Sequence, residues 1–321
     1  EAELGIDLEY DSDSVVGVAG NAPGRYDVGL WGGVIILGNA TISLIETGDV
    51  VNRNDIIEGF TPGGVIDADG DGFSDILEYG SDLAFPLDDA DDSGTFRYVS
   101  IRHGGYNFAA NNEINGLTLG GVGTGTTIDH VEVYANQDDG VEFFGGTVNT
   151  SNMVVAFCQD DSFDIDQGHS GTHQFWFAIQ DEGGDNIGEW DGLDTNSSGN
   201  KSNTSTAAQP SNPQIWNVTF VGPGIGTEDS GDNSKKDNGI FVDDSFNGSL
   251  FNSIITDSSN FLVSNSGDGG FGSFENNTVG NFGEYTSANS DVINGMSTGF
   301  YLDFLNALAD GNTAAGTDPA F

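Results

Sequence analysis

The sequence predicts an all-β chain wound as a parallel β-helix, a β-solenoid with loop insertions, and three observations carry that prediction. Glycine supplies 49 of 321 residues while hydrophobic residues supply only 36%, a balance that disfavours helices and a thick globular core alike. From about residue 97 onward, short apolar runs alternate with Gly/Asn/Asp turns, as in "RYVSIRHGG", "TIDHVEVYA", "GVEFFGG" and "QFWFAIQ". Four segments then align as a repeat: "DDGVEFF" at 138, "DDSFDID" at 160, "WDGLDTN" at 190 and "DNGIFVD" at 237, at intervals of 22, 30 and 47 residues. A unit of this length with several short strands stacks coil upon coil.

Alternation assigns the faces of each coil. Val141, Phe143, Phe163, Ile165, Leu193, Ile240 and Val242 point inward, with Glu142, Asp164, Asp166, Asp194 and Asp243 outward. Gly and Asp interrupt each apolar run before three helical turns could form. The exception is "FYLDFLNALAD" at 300–310, whose stripe of Phe300, Phe304, Leu305 and Leu308 suits a helix that either covers the open end of the solenoid or docks at its periphery. The domain is therefore a single β-helix over 1–321, with a polar low-complexity insertion at 196–213 and a second insertion at 61–92.

The 61–92 insertion contains "DADGDGFSDILE". Calcium takes six to eight oxygens, and a short loop supplies them when acceptors recur every second residue around a sharp turn. Asp67, Asp69 and Asp71 stand at loop positions 1, 3 and 5, Phe73 offers its carbonyl at 7, and Asp75 and Glu78 fall at 9 and 12. Every ligand position of the calcium loop is thus filled, without the helices that flank an EF-hand. A weaker second set lies on the coils, where the alignment stacks Glu142, Asp164 and Asp194 in one file and Asp139, Asp161, Asp191 and Asn238 in another. Carboxylates on adjacent coils, about 4.8 Å apart, repel by about 3–4 kcal/mol at an effective dielectric near 20. A bound cation, a shared proton or splayed side chains must relieve that repulsion.

Charge excludes several partners. With 51 acidic residues against 7 basic ones and a net charge of -44, no basic groove for nucleic acid can be built. No apolar segment is long enough for membrane insertion. Self-repulsion on this scale calls for cations, which points to calcium as cofactor and to an extracellular or cell-surface setting. Cys158, in the apolar run "NMVVAFCQ", reads as a buried, inert thiol. The spacing of His169 and His173 in "HSGTH" does not put both rings on one face of a strand, so these read as turn or coil-edge side chains rather than zinc ligands. The Trp residues read as core aromatics, with a sugar platform as the alternative.

At these residues a family resemblance appears. "WGGVIILGNA" (31–40), "NEINGLTLGGVGTGTTIDHVEV" (112–133), "DDGVEFFGGTVN" (138–149) and "DDSFDIDQGHSGTHQF" (160–175) resemble a family of secreted bacterial surface proteins, right-handed parallel β-helices and mostly uncharacterised. The resemblance implies fold and export and no reaction, and it leaves the 61–92 insertion unaddressed. The expectation is a non-enzymatic, calcium-stabilised structural protein of a surface layer, adhesin or filament that self-associates end to end or laterally. The rival is a glycan-active enzyme, a neutral-polysaccharide hydrolase with paired carboxylates, or a carbohydrate-binding module on the same scaffold. "DDSFDIDQGHS" is similar to the Asp-Asp and Gly-His-Gly elements of polygalacturonases, but His169 follows Asp161 too closely and the Arg-x-Lys element is missing. A polyuronate would also be repelled by so acidic a surface.

Overall fold

The computed structural model describes residues 24–46, 50–52, 54–57, 78–81, 86–107, 114–195, 209–224, 238–258, 263–266 and 269–282. Among these, every regular element is a β-strand. Two parallel sheets face each other. The seven-stranded sheet runs Val34–Leu37, Leu117–Gly120, Val141–Phe144, Phe163–Asp166, Gly188–Asp191, Ile240–Asp243, Val263–Ser266. The ten-stranded sheet begins Thr95–Arg102, Thr127–Tyr134, Thr150–Ala156, Thr172–Ile179, and from Gln214 each coil contributes two shorter strands. The chain alternates between the sheets once per coil, and parallel crossovers of this kind wind right-handed. The architecture is a right-handed parallel β-helix.

The inward files of the two sheets make one core. Val141, Phe143, Phe163, Ile165, Ile240 and Val242 are all fully buried in it, as the alternation predicts. Aromatic rings fill the axis: Phe163 lies flat on Trp176 at 4.2 Å, and Phe143 stacks against the same indole at 5.8 Å. A satellite cluster of Ile42, Ile57, Tyr79 and Phe144 sits beside the seven-stranded sheet. Its Ile42, Ile57 and Tyr79 come from the excursion between Leu37 and Thr95, whose strands include Leu44–Glu46 and Glu78–Gly80, and Phe144 comes from the sheet itself.

The ten-stranded sheet is bent along one line. Tyr98, His130, Asn152, Phe175, Asn217, Asn252 and Asn276 occupy the same register position in successive coils, and each has a φ between 51° and 61°. This left-handed conformation turns the strand without ending the ladder, and Asn accepts it more readily than bulkier residues.

The register corrects the sequence alignment in its third coil. Phe163 pairs with Gly188 and Asp164 with Glu189, so the segment that stacks on "DDSFDID" is "DNIGEWD" at 185 rather than "WDGLDTN" at 190. The slip has a physical source. Gly188 stands where other coils place a large apolar residue, and the Trp190 indole occupies the space, with Nε1 only 2.8 Å from where a Cβ on Gly188 would lie. Leu193 is buried but outside the main core, and Asp194 pairs with Leu44 of the excursion, away from the acidic files. Asp67, Asp69, Asp71, Phe73 and Asp75, residues 196–208 of the low-complexity insertion, and the 300–310 helix all lie outside the described residues.

Candidate functional site

The carboxylates gather at the starts of the seven-stranded sheet's strands, and the register explains how. Two residues before each strand stand Asn115, Asp139, Asp161, Asn186 and Asn238, one per coil. They form a ladder. The Asp139 Oδ1 accepts the backbone N–H of Asp161 at 2.9 Å, the Asp161 Oδ1 accepts that of Asn186 at 2.5 Å, and the Asn238 amide donates to Asn186 Oδ1 at 2.7 Å. One residue earlier lie Asp138, Asp160 and Asp185, half-buried at the rim. On the strands themselves Glu142, Asp164 and Glu189 are neighbours in register.

These files converge. Oxygens of Asp138, Asp139 and Asp160 lie within 4.8 Å of one another, as do those of Asp139, Glu142 and Asp164 and those of Asp160, Asp161 and Asp185. Burial pushes Asp139, Asp161 and Asp164 well above the usual carboxylate range, and neighbouring carboxylates push further. Asp138 and Asp164 act on Asp139, Glu189 and Asp139 on Asp161, and Glu142 and Glu189 on Asp164. The ion pairs of Arg25, Arg97 and Arg102 lie elsewhere, with Asp181, Asp129 and Glu132. Glu142 accepts a short hydrogen bond from the Asn115 amide, and Glu189 accepts from the Asn186 amide at 2.8 Å. Amide donors suit an ionised carboxylate.

The ladder does not itself require charge. Its rungs need an acceptor oxygen, and Asn186 supplies one without the cost of burying a carboxylate. The backbone bonds alone therefore do not account for Asp at 139 and 161. Two chemistries fit the group: hard oxygen donors for a divalent cation, and closely spaced carboxyl groups for acid–base work on a glycosidic bond.

Of the residues the sequence singles out, Asp139, Glu142, Asp161 and Asp164 come together here. Asp191 stands off the ladder, two residues along the strand from Glu189 and opposite Asp243, but it is near enough for its carboxylate to add to the upward push on Asp164. Glu78, the last residue of the expected calcium loop, is buried in Glu78–Gly80 and pairs with Ile56. Asp138, Asp160, Asp185 and Glu189 were missed. The doubled Asp at 138–139 and 160–161 was their signal, and the corrected register supplies the other two.

The histidines overturn their expected placement. His169 and His173 are fully buried in the core, not at coil edges. The Gly145 carbonyl can only accept, so His169 carries its proton on Nδ1 (2.7 Å) and accepts on Nε2 from His173 Nε2 (2.8 Å). His173 Nδ1 then accepts from the Thr150 hydroxyl, whose oxygen accepts from Trp176 Nε1, both at 2.9 Å. Burial pushes His169 down to about 4 and His173 well below its ordinary value. The Gly-His element thus has no place at the carboxylate face. Cys158 is as expected: fully buried, its thiol pushed up to about 12 by burial.

With fold and face in view, the comparisons define a class. The family model of a pectate-lyase-like β-helix domain matches residues 15–266, and the chain belongs to that family. No curated protein and no solved structure matches. Family membership corrects the expectation of a non-enzymatic scaffold, because this domain points to polysaccharide-degrading enzymes.

Proposed function

We propose that the protein is a glycan-active enzyme, a hydrolase of neutral polysaccharides, whose active site is the carboxylate face of the seven-stranded sheet. The observation that carries this reading is the placement of Asp164, half-buried and reachable, directly between Glu142 and Glu189 in register. Asp164 is the proton donor: its carboxyl O–H passes a proton to the glycosidic oxygen as the C–O bond breaks. Glu142, with an oxygen within 4.8 Å of Asp164 and Asp139, is the partner carboxylate. So close an approach favours the retaining arrangement, with carboxyl groups about 5–5.5 Å apart, over the inverting one at about 6.5–9.5 Å. In that arrangement Glu142 attacks the anomeric carbon, and water later releases the sugar.

Calcium belongs to the proposal as a counter-ion. Asp138, Asp139 and Asp160, and Asp160, Asp161 and Asp185, offer the carboxylate oxygens that it prefers, and the ligand spacing from Asp67 to Glu78 suits it independently. When bound it neutralises the rim of the face. Such an ion, and a net charge of -44, suit an extracellular setting.

The test is release of reducing ends from a panel of neutral polysaccharides, with and without calcium. Asp164→Asn and Glu142→Gln are each expected to lower turnover by about 10²–10⁴-fold, the contribution of a positioned acid or base. Turnover that survives Asp164→Asn overturns the assignment of the face. Binding without turnover across the panel supports a carbohydrate-binding surface protein instead.

A further inference from the structure

We propose that the bend of the ten-stranded sheet carries a second, non-catalytic glycan site, a platform of Tyr98 and Phe175 that holds a polysaccharide along the helix axis. It shares with the catalytic reading only the class of ligand. The argument starts from the left-handed column. Four of its positions are Asn, which tolerates that backbone, whereas Tyr98 and Phe175 place bulky rings at φ 56° and 61°, where such residues are rarely found. Packing does not account for them either, since they are 73% and 51% exposed. Residues that strain the backbone to present apolar rings to water are selected by something outside the fold.

Their surroundings indicate what that is. Beside Tyr98 the His130 ring lies at 4.7 Å, tilted by 34°, and the Arg97 guanidinium lies 5.2 Å from the Tyr98 ring centre. Asp129 gathers the neighbouring polar groups, accepting from Arg97 at 2.6 Å, Ser151 at 2.8 Å and Asn152 at 2.9 Å. Exposed rings set among fixed guanidinium, amide and carboxylate groups match a sugar, whose C–H face stacks on a ring while its hydroxyls meet polar partners. The patch is charge-balanced through Arg97–Asp129 and Arg102–Glu132, so it does not repel a neutral chain. A second copy at -44 is repelled as a whole. Tyr98 and Phe175 stand three coils apart, about 14 Å at the usual strand spacing, which calls for a polymer rather than a single sugar.

The experiment uses full-length protein carrying Asp164→Asn, so that binding is read without turnover, against soluble xylan, mixed-linkage β-glucan and galactomannan in affinity electrophoresis. Adding Tyr98→Asn and Phe175→Asn is expected to weaken binding at least tenfold. It should leave the melting temperature equal or higher, because Asn suits the bend. Affinity that is unchanged by the two substitutions, or no binding to any of the three polymers, overturns the platform. So does a size measurement in which the same substitutions split a dimer, which assigns the rings to a second copy. Turnover by the protein with native Asp164 is scored separately: hydrolysis that persists while binding ignores Tyr98 and Phe175 removes this site and keeps the catalytic one.

Discussion

Thr150 joins the two halves of a buried relay, accepting from Trp176 Nε1 and donating to His173 Nδ1. Thr150→Val keeps the shape and removes both bonds, leaving an indole N–H without its acceptor. The expected loss is about 1–3 kcal/mol, read as a lowered denaturant midpoint with unchanged far-ultraviolet circular dichroism. The histidines add a pH dependence whose sign follows from burial. His169 is held at about 4 against about 6.5 in the unfolded chain, so between these values the unfolded state binds the extra proton. Their stabilisation is therefore complete above about pH 6.5 and falls away as the pH drops toward 4, by up to about 3 kcal/mol for His169. The raised acids Asp139, Asp161 and Asp164 act in the opposite sense: their contribution is full below the ordinary carboxylate value and is lost as pH rises through their folded values. Between about pH 4 and 6.5 the two effects oppose each other, and above about pH 6.5 only the loss from the acids remains; melting temperatures in EDTA should therefore fall from about pH 6.5 to 8, and calcium should restore that loss. The histidine placement was hidden in the sequence because "HSGTH" looks like a turn. Gly171 runs so close to the neighbouring coil that a Cβ there would lie 2.0 Å from the Val148 carbonyl oxygen and 2.8 Å from His169 Nε2, so the turn has room for the inward ring only with Gly at this position.

At the scale of the element, the strands were legible and one register was not. Alternation located the inward files at Val141, Phe143, Phe163, Ile165, Ile240 and Val242 because each of these is a buried apolar side chain. It failed at Gly188, where the ring of a residue two positions on does the filling. The same fact yields a prediction. Gly188→Ala places a methyl 2.8 Å from Trp190 Nε1 and 2.9 Å from Cε2, within a core that Trp190 shares with Phe220, Phe246 and Phe271. Overpacking of this kind costs about 1–3 kcal/mol. The indole must also move off the Phe163 carbonyl that it donates to at 3.2 Å. A shift in tryptophan emission together with a lower denaturant midpoint is the expected outcome; a midpoint unchanged from the parent means that Trp190 has room to spare. Half of the acidic files followed from the doubled Asp residues, whereas Asp185 and Glu189 required the true register, since nothing in "GDNIGEWD" repeats the pattern of a large residue at the Phe163 position.

For the whole molecule, the fold was readable from composition and period, but the enzyme class was not. A repeat fixes a scaffold, and a scaffold hosts many functions; membership of the pectate-lyase-like family is what shifts the reading toward polysaccharide chemistry. The expense of the carboxylate face is borne by the entire coil stack. Calcium is accordingly expected to raise the melting temperature through both the face and the 67–78 loop, as any ligand selective for the folded state does, and chelation should reverse the gain.

The account rests on the claim that Asp139 and Asp161 are acids for a ligand rather than for the fold. The melting temperature of Asp139→Asn/Asp161→Asn in EDTA at neutral pH tests this most directly, because Asn preserves the acceptor of each rung while removing two buried carboxyl groups. A midpoint above that of the parent is predicted, as when active-site groups are held at the expense of stability. A midpoint below the parent's would show that the carboxylates hold the coils together, and the face would lose its claim to be a site.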